Sequence, residues 1–476
     1  MAETFGQALR RLRGDLSQRR LGERVFCHKS HIYRLEVGLR GPSPDMAERL
    51  DRELAAGGHL IQLACQMDEE VPPQPMPVTA ETAVAGRAAR RPPAASPSST
   101  RSVALPADHG LDLPWSRQLP TQWVVDMLGR REFTQLSGAT LTAPAWKHLD
   151  QSAPGPALLP AMDLVGRIGE PVVRLVEETA THAQRLDDQA GGGALGYITD
   201  QAHAVARMLR RDSYDAPTGQ RLATALARLA QTAGWMAHES LRDAEAQRWF
   251  LIALRAAQAA DNRSLGASVL ALMSNQAAAL SQTKESLQLG AAAQEAAADA
   301  PAVVQALVTA RSGLVYAAAG DLSGFRRSRD DTLALLDQAA ADAQPAPPWA
   351  SYASSTELDA IAGRCLADLA GRIPTVRLQQ RLLAQAEKLL LPRAMDDRPE
   401  SRRSAVRHST WLALAHARAG DLDQAIETGE RALDRLPEIT SARITVLLGQ
   451  LRDDLALRAD RPPIRAFIDR MNRQGA

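Results

Sequence analysis

The sequence predicts an all-α protein, with a small N-terminal helical module ahead of a long α-solenoid of helical hairpins. Three observations carry this reading. Ala and Leu dominate long stretches while aromatic residues make up only 4% of 476 residues, and the short alternating runs that strands require are missing. From about residue 161 onward the chain reads as helix after helix, with breaks at Gly191–Gly193, Asp215–Pro217, Pro301, Gly320, Pro345–Pro348, Pro392, Gly420 and Pro437. The spacing of those breaks suggests a repeated unit, against the alternative of a non-repeating helical bundle.

Length and composition divide the chain further. At roughly 100–200 residues per domain, several units fit, and 45% hydrophobic with 23% charged residues is enough for globular cores. Residues 1–69 are charged and helix-patterned. Residues 70–114 carry Val71-Pro72-Pro73-Gln74-Pro75-Met76-Pro77 and Arg91-Pro92-Pro93-Ala94-Ala95-Ser96-Pro97, without helical or strand spacing, and read as a flexible tether. Residues 115–160, with Trp115, Trp123 and Trp146, form a modest apolar segment expected to dock on the solenoid. Residues 161–476 are the helical repeats.

The N-terminal elements are set by local signals. Leu9 and Leu12 supply the apolar stripe of a first helix. Ser17 caps a second, whose inner face is Leu21 and Val25, with Gly22 small enough for close packing. A tight turn at Phe26-Cys27 leads to a helix capped by His28 or Lys29. Its Ile32 and Leu35 point inward, and Gly38 ends it. Ser43-Pro44-Asp45 opens another helix, a hydroxyl cap with proline at the first helical position.

Two short helices at a steep angle, the second free to enter a major groove, make a helix-turn-helix. The stretch from Phe5 to about Leu63 resembles the phage Cro and C1 repressor type (the xenobiotic-response-element-like family). The resemblance rests on Leu9-Arg10, on Leu16-Ser17-Gln18, on Ile32, Glu36 and Gly38, and on Pro42-Ser43. Two positions depart from the pattern: Gly22 stands for the usual alanine, and Phe26 for the glycine of the turn.

Charge agrees with such a module. The whole chain is balanced at +1, but in residues 1–40 Arg10, Arg11, Arg13, Arg19, Arg20, Arg24, Lys29, Arg34 and Arg40 outnumber Glu3, Asp15, Glu23 and Glu36. A double-stranded DNA operator is the implied partner. Reach along the recognition helix makes His28, Lys29, Ser30, His31 and Arg34 the candidates for base and groove contacts. The resemblance assigns Gln18 to the DNA backbone. Ser17 is read as a cap and Glu36 as a residue that orients its neighbours, since a carboxylate would repel phosphate. Arg10 and Arg40 either meet phosphate or stay solvated.

The clearest repeat runs from Trp411 to Pro437. A helix ends at Gly420, Asp421 caps the next, Ala425 and Ala432 are small where helices cross, and Pro437 stops the second helix. It resembles the tetratricopeptide repeat (TPR), whose glycine, two alanines and proline all have counterparts here. A second copy, Ala319-Gly320-Asp321-Leu322, lies one hundred residues upstream, with Phe325 where the small alanine should be. A DNA reader joined to a TPR-like domain resembles Gram-positive regulators that bind a short signalling peptide, and actinobacterial regulators of development and secondary metabolism. The resemblance implies a homodimer and a peptide or protein ligand on the concave helices. Asn275 and Gln276, with Arg311 and Tyr316 one repeat later, are the candidates to hold it.

Other classes fit poorly. Cys27, Cys65 and Cys365 are too few and scattered for a disulfide framework or a four-ligand zinc site. Met1–Gly14 is charged with no apolar core, and Ser264–Thr283 carries too many polar groups for a membrane span. Arg130-Arg131 mimics an export signal, yet stands far from the first residue. There is no phosphate-binding loop, since Gly191-Gly192-Gly193 lacks the lysine, nor a G-x-S-x-G, H-E-x-x-H or paired-cysteine motif. His28 with His31, and His408 with His416, lack further ligands. No enzymatic activity, metal or cofactor is expected, and the expected location is the cytoplasm. The rival reading is a TPR protein-interaction scaffold with a vestigial DNA-binding module.

Overall fold

The computed structural model describes residues 3–14, 16–25, 32, 35–36, 42, 44–69, 119, 121–129, 134–149, 168–342 and 345–474. The chain forms two compact units, Met1–Arg101 and Ser102–Ala476. Among the described residues there is no strand, only an isolated parallel bridge between Gly191 and Thr440. The all-α class is therefore what the chain adopts.

In the first unit α1 (Phe5–Arg13) opens with a capping box. Thr4 accepts from the Gln7 backbone and the Gln7 side chain returns to the Thr4 amide, so two orphan donors are satisfied. Ser17 accepts from the Arg20 amide and starts α2 (Gln18–Arg24). Next come α3 (Pro44–Glu53), with proline at its first position, and α4 (His59–Glu69). Phe5, Leu9, Leu21, Val25, Ile32, Leu35, Leu50 and Leu60 make the core, while Leu12 is only partly buried. The buried Asp51 of α3 accepts from the amides of Gly58 (2.7 Å) and Leu60 (2.9 Å), pinning the start of α4. The expected turn at Phe26-Cys27, the cap at His28 or Lys29 and the stop at Gly38 lie outside the described residues.

The second unit begins with α5 (Thr121–Gly129) and α6 (Gly138–Leu149), whose Trp123, Val124, Met127, Leu141 and Ala145 enter the main core. Trp146 remains exposed. After these come α7 (Glu170–Ala190), α8 (Leu195–Arg211) and a series of hairpins. The first three are α9 (Ala216–Glu239) with α10 (Asp243–Ala259), α11 (Arg263–Ala279) with α12 (Thr283–Ala296), and α13 (Ala302–Ala318) with α14 (Leu322–Asp342). Two more are α15 (Ser355–Ala370) with α16 (Val376–Ala394) and α17 (Arg402–Ala419) with α18 (Leu422–Arg435), before α19 (Ala442–Ala456) and α20 (Pro462–Arg473). First helices of successive hairpins stack on one another, α11 on α13, α13 on α15 and α17 on α19, which is solenoid packing.

One turn recurs through the array. At Gly320 and Gly420 the chain turns left-handed, and the next amide reaches back five residues, Asp321 to the Tyr316 carbonyl and Asp421 to that of His416. The same bonds close three turns that carry no glycine signal in the sequence. There Arg242 reaches Ala237, Asn262 reaches Ala257 and Gln282 reaches Ala277, around Leu241 (φ 60°), Asp261 (φ 56°) and Ser281 (φ 60°). The break expected at Pro392 falls inside α16, which continues to Ala394. Proline removes one amide donor, but so near the end only two residues remain before the helix stops. Phe325, large where a small residue was expected, is buried and faces Gly313, where an added Cβ would lie 3.5 Å from the ring. Bulk has moved from one helix of the pair to the other.

Within this unit the two ends of the array are bonded to each other. Thr440 donates to the Ala190 carbonyl (2.9 Å) and its own carbonyl accepts from Gly192 (2.8 Å). Gly191 (φ 66°) comes so close that a Cβ there would stand 2.4 Å from the Thr440 carbonyl oxygen. Arg403 donates to the Asp187 carbonyl (2.8 Å) and carboxylate (2.7 Å), Ser441 to Glu239 (2.7 Å), and Arg443 to Asp243 (2.9 Å). The array closes on itself through this polar seam.

Candidate nucleic-acid interface

The charge of the first unit is less available than its count suggests. Arg11 donates to both oxygens of Glu3 at 2.8 and 3.0 Å, and Arg11 and His59 together hold the Glu3 carboxyl down to about 2. Arg24 reaches Glu53 at 3.2 Å. Arg13 is turned inward, its Nε and Nη2 on the Glu36 carboxylate and its Nη1 on the Leu16 carbonyl at 2.6 Å. Among the described residues Arg10 and Arg20 are exposed cations without an ion pair. The excess over acid that faces solvent is carried by fewer side chains than the nine basic residues in the sequence.

Glu36 organises the module. Besides Arg13 it accepts from Gln18 Nε2 at 2.7 Å, and its side chain is only 4% exposed. One carboxylate thus ties the end of α1, the start of α2 and the segment carrying Ile32 and Leu35. Gly6 completes the clamp, because α1 rests directly on that backbone. A Cβ there would lie 2.5 Å from the Glu36 carbonyl oxygen and 2.6 Å from that of Leu35. A helix that reads base edges must be held rigidly, and buried charge-assisted bonds do this. The Arg13–Glu36 pair spans 23 residues, so no local pattern announces it.

Of the residues assigned to DNA, Gln18 is described and lies partly buried, one amide hydrogen spent on Glu36. His28, Lys29, Ser30, His31, Arg34 and Arg40 lie outside the described residues.

In the second unit, Asn275 and Arg311 are brought together, Asn275 Nδ2 donating to the Arg311 carbonyl at 2.9 Å. The Arg311 guanidinium reaches the Tyr352 hydroxyl (2.8 Å) and lies 5.8 Å from the ring centre of Trp235, a ring also faced by Arg403 and Arg407. Gln276 is turned away and buried, bonded to the backbone and side chain of Asp243. Tyr316 packs over Gly324 at the α13–α14 crossing. Trp235 and its arginines are not visible as a cluster in the sequence, because they converge from α9, α13 and α17.

Cys365 is buried, which pushes its thiol up to about 12. Among the described residues no group of His, Cys, Asp or Glu could hold a metal ion, and no helix is long and apolar enough to cross a membrane.

Capped short helices around a small apolar core, with one carboxylate locking the third segment onto the first two, define a helix-turn-helix module. Residues 4–64 match the family model of the helix-turn-helix domain. In general terms, then, the chain is a DNA-binding regulator. Comparison with curated proteins and with solved structures finds no match.

Proposed function

We propose that this protein is a sequence-specific transcriptional regulator that binds a pseudo-palindromic operator as a homodimer. One module makes few base contacts, so two half-sites supply the specificity. The observation that carries the reading is the match of residues 4–64 to the helix-turn-helix domain, around the Arg13–Glu36–Gln18 cluster.

In this reading Lys29, Ser30, His31 and Arg34 meet base edges, His28 and Arg40 lie along the groove and backbone, and Gln18 offers its remaining amide hydrogen to a phosphate. The TPR-like second unit senses a peptide or protein partner, dimerises, or both, and the protein works in the cytoplasm. Asn275 and Arg311, side by side, support a partner site on the first helices of the hairpins. Any switching requires that the partner bind two states of the protein with different affinity.

Chromatin pulldown with sequencing tests this directly. It should return a palindromic operator, and Lys29→Ala with Arg34→Ala should abolish occupancy. Unchanged occupancy in that double variant would overturn the reading in favour of a scaffold.

A further inference from the structure

A cleft of about 740 Å³ opens between α7, α9 and the segment Pro347–Trp349. That volume suits a small organic molecule. Its floor is Arg228, which is 8% exposed and has no ion pair among the described residues. The Arg228 Nη2 donates to the Thr181 hydroxyl at 2.8 Å, while its buried Nε has no partner. Burial lowers the pKa of this guanidinium even though the Glu177 carboxylate works the other way, so the cation is only partly compensated.

Glu177 acts on Arg228 through charge alone, without a hydrogen bond to it. Both oxygens of Glu177 are taken by Arg221, at 2.8 and 2.7 Å. Glu170 is likewise shared between Arg174 and Arg221. Glu178 lines the cleft and is exposed, as is Arg185 about two turns further along α7. Once these pairs are counted, the lining keeps Arg228 and Arg185 against one carboxylate, Glu178, and the cleft is left with positive charge. The opposite wall is apolar and fixed: Trp349 is buried and its carbonyl accepts from Gln184 at 3.3 Å.

We infer that this cleft binds a small organic acid, its carboxylate on Arg228 and Arg185 and its apolar or aromatic body against Pro347–Trp349. The inference concerns the second unit alone and does not rest on DNA binding.

The test uses the full-length protein without DNA and the aromatic anion 8-anilinonaphthalene-1-sulfonate as a fluorescent probe. One saturable site per chain is expected. Arg228→Gln should weaken it about tenfold or more and Arg185→Gln by several-fold, the loss of charge-assisted hydrogen bonds. Naphthalene-2-carboxylate should displace the probe, and the neutral naphthalene-2-methanol should fail to. Cooperative melting confirms that each variant is folded. If Arg228→Gln does not fold, the exposed Arg185→Gln decides. No saturable binding, wild-type affinity in the folded variants, or equal displacement by acid and alcohol would overturn the inference.

Discussion

Arg403 donates its Nη2 to the Asp187 carboxylate at 2.7 Å across 216 residues of sequence, with both side chains almost fully enclosed. This contact joins α17 to α7 and is the centre of the seam that closes the helical array. Burial raises the Asp187 carboxyl to about 7 even beside Arg403, so removing Arg403 leaves a buried acid that has lost its counter-charge and its hydrogen bonds. Arg403→Ala should therefore cost about 3–5 kcal/mol, and an apolar replacement of both residues should recover most of it. Urea denaturation of the single and double variants measures the difference.

Acid should loosen the same seam. Burial works against the Glu239 carboxylate, but Arg407, Arg403 and the Ser441 hydroxyl outweigh it and hold its pKa near 2, below the ordinary 4.5. A carboxyl lowered on folding contributes stability that is complete above about pH 4.5 and is lost as pH falls toward 2. Glu239→Gln should flatten that part of the pH–stability curve in thermal melts while lowering stability at neutral pH.

His148 should act over a milder range. Burial lowers its pKa from 6.5 to about 4, so the imidazole sits neutral in the core and its contribution declines as pH falls from about 6.5 to 4. It occupies space that Gly266 leaves open, since a Cβ at Gly266 would fall 2.2 Å from His148 Nε2. Gly266→Ala should cost about 1–3 kcal/mol through overpacking, and His148→Ala in the same chain should relieve part of that loss. Calorimetry of the two single variants and the double variant reads both effects.

The non-glycine turns give a prediction of opposite sign. Leu241 carries a branched side chain at φ 60° yet is 46% exposed, so it gains modest burial for a strained backbone. Leu241→Gly should stabilise the protein by about 1 kcal/mol, more than Asp261→Gly, because aspartate tolerates the left-handed region better. Melting temperatures at one pH suffice to rank them.

For DNA, Glu36 and Lys29 should fail differently. Glu36→Gln removes the charge that holds Arg13 and should lower operator affinity roughly tenfold or more, leaving the salt dependence unchanged. Lys29→Ala, as a direct contact, should reduce the slope of log affinity against log salt by about one. Fluorescence anisotropy across a salt series separates the two.

What was legible in the sequence was local. Ser17, Pro44, Gly420 and Asp421 act on residues within a turn or two, so their types reveal their tasks. The turns at Leu241, Asp261 and Ser281 were opaque because a side chain stands where glycine would have marked the left-handed residue. Arg13 counted as a surface cation because nothing near it in sequence pairs with it. The cleft floor at Arg228 and the arginines around Trp235 arise from helices far apart along the chain, and neither spacing nor composition encodes such meetings.

Closure also fixes a circumference. An open superhelix can gain or lose a hairpin and remain intact, because each unit touches only its neighbours. Here Thr440 must still find Ala190 and Gly192, so a duplicated or deleted hairpin would pull those ends out of register. Tolerated insertions belong in the loops between helices, and the size of the hoop is inherited whole.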